Sequence, residues 1–241
     1  MHYILQKGYI RTCTNYSRVL LEKNFNAQVI TTAKHDDREG LFQGMRSYID
    51  LVKEQKGWPH NLEPDKIEEL YETGQLRYIV CIKNPYSWFH SVSKTGPSMH
   101  RPDPSNPWPI IEKYNKRYRG WMGVIQEMGD DSLIIRHEDL ITRFQETMKT
   151  IHTQFDLEAN QDGYLNEEKN VLGQSKGKKR ISHTNFGQKF NHKQMPLHNN
   201  GRPVYNVKMV NRIRDEIDWD VMRFYGYGEY DNEYDYLYSD V

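Results

Sequence analysis

The amino-acid sequence predicts an α/β fold, a three-layer sandwich in which a central, mostly parallel β-sheet is covered by helices on both faces. Short apolar segments alternate along the chain with longer segments whose apolar residues recur at helical spacing. The short segments are continuously apolar, which is typical of strands that are buried on both faces. The chain has 241 residues, which is the length of one such domain.

Four apolar segments are the predicted strands of this sheet, residues 3–6, 28–32, 77–82 and 132–136. Amphipathic helices are predicted over residues 15–23, 41–56, 64–71, 85–90, 110–128, 140–155 and 206–225. Pro64 and Pro85 stand at first helical positions, where proline is favoured, and Gly226 ends the last helix. Because helices separate the strands, the connections are parallel βαβ crossovers, and the loops after the strands meet at one edge of the sheet.

A single domain over residues 1–228 accounts for these elements. Five prolines between residues 96 and 109 predict a surface excursion, and residues 169–205 form a basic loop region. The acidic, tyrosine-rich tail of residues 229–241 is predicted to be disordered.

Composition excludes several classes of protein. No apolar run approaches the roughly 18 residues of a membrane span, and the first ten residues lack a basic leader and a small-residue cleavage site. We therefore expect a soluble, cytoplasmic protein with no membrane partner. The two cysteines, Cys13 and Cys81, are too few for a disulfide framework or a zinc cluster, so no metal site is predicted.

The charge of the chain is sorted along its length, although 33 basic and 33 acidic side chains sum to zero. Residues 169–214 contain eleven lysines and arginines and no carboxylate, whereas the tail carries five carboxylates and no basic residue. A solvated surface explains such a stretch, and an anionic ligand is the sharper alternative.

The loop after the first predicted strand carries groups that bind anions. Arg11 and the hydroxyls of Thr12 and Thr14 stand at the start of a helix, where backbone N–H groups also favour an anion. The loop is not a nucleoside-triphosphate loop, because Cys13 stands where the second glycine belongs and Thr14 where the lysine belongs. An ordinary N-capped helix is the alternative interpretation.

The end of the third predicted strand offers a second set of such groups. Lys83 follows the strand directly, and Ser91 lies eight residues later, two turns into the next helix. A cation and a hydroxyl at one strand end can converge on a second anion.

These two segments resemble the nucleotide-binding motifs of the sulfotransferase family. RTCTNY (residues 11–16) is similar to the family's 5′-phosphosulfate loop, (K/R)-S-G-T-T-(W/Y/N). KNPYSWFHS (residues 83–91) is similar to its 3′-phosphate motif, R-(N/D)-P-x-(D/S)-x-x-x-S. IIRHEDL (residues 134–140) and MRFYGYGE (residues 222–229) resemble the family's strand ending in (Y/H)-E-D-L and its terminal helix ending in L-G-Y.

The resemblance covers about residues 2–157 and 206–228 and has three departures. Cys13 replaces the loop glycine, and Lys83 replaces the usual arginine, which exchanges a bidentate fork for a point charge. The family's late Gly-and-basic loop has no clean match, and residues 176–189 are the candidate for its place.

The resemblance implies a P-loop-NTPase-like, sulfotransferase-like fold and the cofactor 3′-phosphoadenosine 5′-phosphosulfate, with 3′-phosphoadenosine 5′-phosphate as product. It assigns the 5′-phosphosulfate to Arg11, Thr12, Cys13, Thr14, Asn15 and Tyr16, the 3′-phosphate to Lys83 and Ser91, and the closing basic loop to Lys178 and Arg180. Glu138 and Asp139 are expected to order their loop and cap a helix.

The implied reaction is in-line transfer of a sulfuryl group to an acceptor hydroxyl, on a carbohydrate or a small molecule. His35 is the candidate general base, because it follows the second predicted strand and an imidazole titrates near neutral pH. Arg11 would steady the leaving phosphate, and Lys34 would assist at the sulfuryl oxygens. The basic loop region leaves an acidic carbohydrate open as the acceptor.

Three alternatives remain open from the sequence. The basic stretch of residues 169–214 also suits a nucleic-acid-binding protein, although that interpretation leaves the strand-end motifs unexplained. A small-molecule kinase would use a similar sheet but needs a loop lysine and magnesium. A non-catalytic relative of the family would keep only the binding site.

Overall fold

A four-stranded, all-parallel sheet forms the centre of the molecule. The computed structural model describes residues 1–30, 44–54, 62–93, 108–166, 198–199, 202–203 and 207–229. The strands of the central sheet are β1 (His2–Gly8), β2 (Ala27–Ile30), β3 (Leu76–Ile82) and β4 (Ser132–Arg136), and they pair in the order β2-β1-β3-β4. Two short strands, β5 (His198–Asn199) and β6 (Arg202–Pro203), form a separate antiparallel pair.

Helices cover both faces of the central sheet. They are α1 (Thr14–Asn24), α2 (Met45–Glu54), α3 (Pro64–Glu72), α4 (Pro85–Ser93), α5 (Trp108–Met128), α6 (His137–Thr142), α7 (Phe144–Phe155), α8 (Val207–Glu216) and α9 (Trp219–Phe224). No helix within the described ranges is long and apolar enough to cross a membrane.

Each face of the sheet has its own hydrophobic core, because successive strand residues point to opposite faces. Leu5 of β1 and Val80 of β3 lie in a core built with α2, α3, α4, α5, α8 and α9. Ile4 and Ile79, one residue earlier in each strand, lie in a second core built with α1, α6 and α7. The prediction of an α/β sandwich with both faces covered is therefore confirmed.

The chain reverses its direction across the sheet between β1 and β3. From β1 it passes through α1 to β2, and it then crosses back over β1 through α2 and α3 to reach β3 and later β4. Right-handed crossovers in opposite directions place their helices on opposite faces, as is observed for α1 and for α2 to α5. The carboxyl ends of β1 and β3 thus flank the topological switch point, where open parallel sheets bind ligands.

Two predicted helices are each divided in the structure. The predicted helix over residues 140–155 is α6 and α7, which meet at Arg143. The last predicted helix is α8 and α9, and Asn115 of α5 compensates that break. Its Oδ1 accepts a hydrogen bond from the Asp218 amide at 3.1 Å, and its Nδ2 donates to the Glu216 carbonyl at 2.7 Å. These partners replace bonds that an unbroken helix would make within itself.

The structure moves the end of the predicted proline-rich excursion, and it leaves other predicted segments outside the described ranges. Helix α5 begins at Trp108, inside that excursion. Pro109 is compatible with this start, because it lies in the first turn of the helix, where proline is tolerated. Residues 96–107 of that excursion, and residues 230–241 of the predicted tail, lie outside the described part of the chain.

Candidate anion-binding site

The turn from β1 into α1 holds two residues in the left-handed conformation. Arg11 and Cys13 both have φ of 66°, a region that L-residues other than glycine enter at a cost. Between them, Thr12 folds the turn back on itself, since its hydroxyl donates to the Tyr9 carbonyl at 2.6 Å. The glycine position of the resembled motif, Cys13, thus has the backbone conformation that favours glycine.

Gly8 lets this turn pack directly on the end of β3. A Cβ at Gly8 would lie 2.6 Å from Cγ2 of Thr14, 2.8 Å from Oγ1 of Thr12 and 2.8 Å from the carbonyl oxygen of Cys81. Real Cβ atoms do not approach other atoms so closely, and one of these atoms belongs to the backbone of the neighbouring strand. The β1–α1 turn and β3 are therefore in tight contact at the switch point.

The amino end of α1 lacks a side-chain cap. Its N-cap residue, Cys13, makes no side-chain capping hydrogen bond, and the first turn contains no acidic residue. Lys23 in the last turn completes the charge pattern that complements a helix dipole. The side chains of Arg11 and Asn15 are exposed, and Thr14 is half-buried. A helix terminus of this kind beside an arginine favours an anion.

Two of the predicted phosphosulfate residues use their side chains for the fold instead. The hydroxyl of Thr12 is fully buried against Tyr9. The ring of Tyr16 lies in the second core, and its hydroxyl donates to Oδ1 of Asn166 at 2.6 Å. The groups left for an anion are the backbone amides of the helix end and the side chains of Arg11, Thr14 and Asn15.

The turn after β3 is ordered differently from the turn after β1. Asn84 caps α4, because its Oδ1 accepts hydrogen bonds from the amides of Tyr86 at 3.1 Å and Ser87 at 3.4 Å. Pro85 follows at the first helical position, where its missing N–H costs nothing. The amino end of α4 is thus closed by its own side chain, so a ligand at this strand end would depend on Lys83.

Lys83 is a half-buried cation beside the β1–α1 turn. Burial lowers the pKa of Lys83, Glu138 and Cys13 oppose that shift, and the nearby charge of Arg11 adds to it. Within the described ranges, no side chain forms a hydrogen bond or an ion pair with the Lys83 ammonium. Tyr114 fixes the backbone here by donating to the Lys83 carbonyl at 3.1 Å. Ser91, on α4, is half-buried.

Glu138 connects three of the four motif segments. Its Oε1 accepts from the amide of Asn84 at 3.0 Å, and its Oε2 accepts from the hydroxyl of Tyr227 at 2.6 Å. Glu138 therefore orders the loop beside Lys83, as expected. It does not cap α6, and neither does Asp139, which forms an ion pair with Arg136 instead.

His137 lies close enough to Lys83 to feel its charge, and the sequence reasoning did not consider this residue. Burial, and then the charge of Lys83, lower the pKa of His137 well below its ordinary value, so its imidazole is neutral at physiological pH. Its position directly after β4, at the ligand-binding edge of the sheet, is the signal that could have identified it.

The other predicted site residues lie outside the described part of the chain, namely Lys34, His35, Lys178 and Arg180. No group of three or more side chains that could hold a metal ion occurs among the described residues.

No protein-family model and no curated protein matches this sequence.

Two positions at this edge of the sheet carry groups that attract anions. The amino end of α1 with Arg11 is one, and Lys83, at the end of the neighbouring strand β3, is the other. The register pairs Gly8 with Cys81, so the two positions follow neighbouring strands directly.

Proposed function

We propose that the chain is a sulfotransferase-like enzyme with a P-loop-NTPase-like fold, which transfers a sulfuryl group from 3′-phosphoadenosine 5′-phosphosulfate to an acceptor hydroxyl. One observation carries this proposal. The amino end of α1, whose N-cap residue makes no capping hydrogen bond, and the half-buried Lys83, which has no ion-pair partner among the described residues, flank the switch point of a parallel sheet. That pair suits a nucleotide with a 5′-phosphosulfate and a 3′-phosphate.

The residues at the switch point fit that nucleotide in charge and in type. The backbone amides at the start of α1 would hold the 5′-phosphosulfate, which requires neither the hydroxyl of Thr12 nor that of Tyr16. Arg11, exposed on the turn, would offset the charge that develops on the leaving phosphate. Lys83 would hold the 3′-phosphate with Ser91, and its burial strengthens its attraction for an anion.

The resemblance assigns the remaining steps to the segment after β2. When bound, the cofactor supplies an activated sulfuryl group. The imidazole of His35 would take the proton from the acceptor hydroxyl, and Lys34 would attract the sulfuryl oxygens. The acceptor is a hydroxyl compound, and the basic loop region favours an acidic carbohydrate among them.

Ligand-induced thermal stabilisation tests the cofactor class. We expect 3′-phosphoadenosine 5′-phosphate to raise Tm more than AMP, ADP or ATP with magnesium does, because only it occupies both positions. Lys83→Ala should remove the advantage over AMP, whereas Lys53→Ala, which removes an exposed lysine of α2, should preserve it. A preference for ATP with magnesium would favour a kinase, and equal stabilisation by all four would contradict the proposal.

A sulfuryl-transfer assay tests the base once an acceptor is found. His35→Ala should abolish transfer and leave binding of the bisphosphate nearly intact, because the imidazole acts on the acceptor. His2→Ala is the matched control, since His2 lies at the opposite end of β1. Full activity of the His35 variant would remove His35 from the mechanism.

A further inference from the structure

The two cysteines of the chain meet at the candidate anion site. Cys13 is the N-cap residue of α1, and Cys81 pairs with Gly8 in the sheet register. Cys13 packs against the core that contains Cys81, and Ser17, one turn further along α1, connects the two residues: its hydroxyl lies 3.1 Å from the Cys13 carbonyl oxygen and 3.1 Å from the Cys81 sulfur. Cys81 is fully buried, whereas Cys13 is partly exposed. One thiol is therefore accessible, and the second lies directly behind it.

The surroundings of Cys81 favour its thiolate. Gln6 donates from Nε2 to the Cys81 sulfur at 3.4 Å, and the Ser17 hydroxyl lies 3.1 Å from the same sulfur. Burial opposes ionisation, yet the hydrogen bonds from Cys13, Ser17 and Gln6 lower the pKa of Cys81. The hydrogen bond to Cys81, and then burial, raise the pKa of Cys13 well above its ordinary value. Of the two thiols, Cys81 therefore ionises more readily, which suits a resolving cysteine.

We propose that Cys13 and Cys81 form an intramolecular disulfide when the protein meets a hydroperoxide, and that this modification closes the β1–α1 turn to anions. The disulfide follows from the position of Cys13, which packs against the core that contains Cys81 and shares Ser17 with it as a neighbour. Its effect on anion binding rests on the function proposed above.

The reaction balances with one hydroperoxide as the oxidant. Cys13 loses its proton to solvent, and its thiolate attacks the peroxide, which breaks the O–O bond and releases an alkoxide or hydroxide that solvent protonates. Cys81 then loses its proton to solvent, and its thiolate attacks the sulfur of the sulfenic acid on Cys13. Hydroxide leaves and is protonated by solvent. Two thiols and one hydroperoxide become a disulfide, water and an alcohol, or a second water.

The disulfide would alter the start of α1, because the β1–α1 turn is tightly packed and cannot absorb a movement of Cys13. A disulfide joins its sulfurs at about 2.05 Å, much closer than a hydrogen-bonded pair of thiols. Cys13 must therefore move towards β3, and it carries the first amides of the helix with it. Thr14 already crowds Gly8, where a Cβ would lie 2.6 Å from its Cγ2. The amides that would hold the anion can then no longer keep their positions.

Mass spectrometry of the intact protein after treatment with hydrogen peroxide tests the disulfide. We expect a loss of two mass units, a cross-linked pair of peptides containing Cys13 and Cys81, and full reversal by dithiothreitol. Cys13→Ser should show none of these changes. Unreacted thiols, a sulfinic acid on Cys13 beside a free Cys81, or a disulfide-linked dimer would each overturn the proposal.

Titration with 3′-phosphoadenosine 5′-phosphate tests the consequence. The oxidised protein should bind at least tenfold more weakly than the reduced protein, and dithiothreitol should restore binding. Equal affinity of the two forms would overturn the closure of the turn. A reduced protein that binds no bisphosphate would overturn the proposed function, while the disulfide would still be decided by its mass.

Discussion

At the scale of single residues, Lys83 carries its charge at the end of a buried strand, where burial lowers its pKa. Glu138 and Cys13 raise the pKa of Lys83 and Arg11 lowers it, but the effect of burial is the largest. The pKa of Lys83 therefore stays below its ordinary value. A bound phosphate favours the ammonium form, so binding raises the pKa of Lys83. The affinity that the proposed function requires for a phosphate at this position therefore depends on pH through Lys83.

We predict that the affinity for 3′-phosphoadenosine 5′-phosphate is constant below the lowered pKa of Lys83 and falls as pH rises through it. The loss is at most about tenfold per pH unit, because one proton is involved. Lys83→Arg keeps its charge throughout and should show a flat profile up to about pH 10. Calorimetric titrations of both proteins between pH 7 and pH 10 measure this. Parallel profiles would show that another group titrates.

The lowered pKa of Lys83 also affects the stability of the ligand-free protein, and it makes stability change with pH in the opposite direction to the affinity. Between the lowered pKa of Lys83 and the value of about 10.4 in an unfolded chain, the unfolded state binds more protons. The contribution of Lys83 to the free energy of unfolding therefore rises with pH over that window, while the affinity for the anion falls.

At the scale of the elements, the sequence predicted the strands better than the helix ends. β4 has its predicted bounds, because a continuous apolar run between polar residues specifies a buried strand locally. Asp218 begins α9 as its N-cap residue, accepting a hydrogen bond from the Val221 amide, and that cap is a local signal that helical periodicity overrode. Asn115, which bonds to both sides of the break, lies more than a hundred residues earlier in the chain, so no local pattern contains it.

The candidate site could likewise be predicted only in part from the sequence. The motifs after β1 and β3 could be found from residue type and spacing, and the parallel topology brings them together. The separate uses of the side chains were not predictable, because they depend on three-dimensional partners. Thr12 and Tyr16 match the resembled motif as well as Thr14 does, yet their hydroxyls bond to Tyr9 and Asn166.

The contact between α6 and the chain after α9 yields a second prediction. The Tyr227 hydroxyl engages one oxygen of Glu138 while the other binds the Asn84 amide. Tyr227→Phe should lower the free energy of unfolding by about 2 kcal/mol, since hydrogen bonds to charged groups contribute about 1.5–3 kcal/mol. The released oxygen can then turn towards Lys83 and compete with phosphate, so bisphosphate affinity should fall several-fold.

Denaturant titration and calorimetry of the same variant measure both effects. Tyr164→Phe is the matched control, because it removes a tyrosine hydroxyl that bonds to His152 on α7. The control should lose stability without a change in bisphosphate affinity. If Tyr227→Phe also left the affinity unchanged, Glu138 would serve the fold alone.

At the scale of the whole molecule, equal numbers of basic and acidic side chains conceal how the charge is distributed. Among the described residues, many charges are used in ion pairs on the surface, such as Arg46 with Glu72 and Lys66 with Glu69. Such exposed pairs contribute little to stability and produce little net field. An anionic ligand would instead experience Arg11, Lys83 and the acid-free stretch of residues 169–214.

This distribution predicts that the position of a charge matters more than the net charge. Lys178→Ala with Arg180→Ala should weaken bisphosphate binding at least tenfold if the basic loop region contacts the ligand. Lys149→Ala with Arg223→Ala removes the same charge from exposed positions on α7 and α9 and should change the affinity less than twofold. Titrations at 0.05 M and 0.5 M salt complete the comparison, because salt screens distant charges more than contacting ones. If the two double variants lost the same affinity, and salt abolished both losses, the basic stretch would act only through the general field of the molecule.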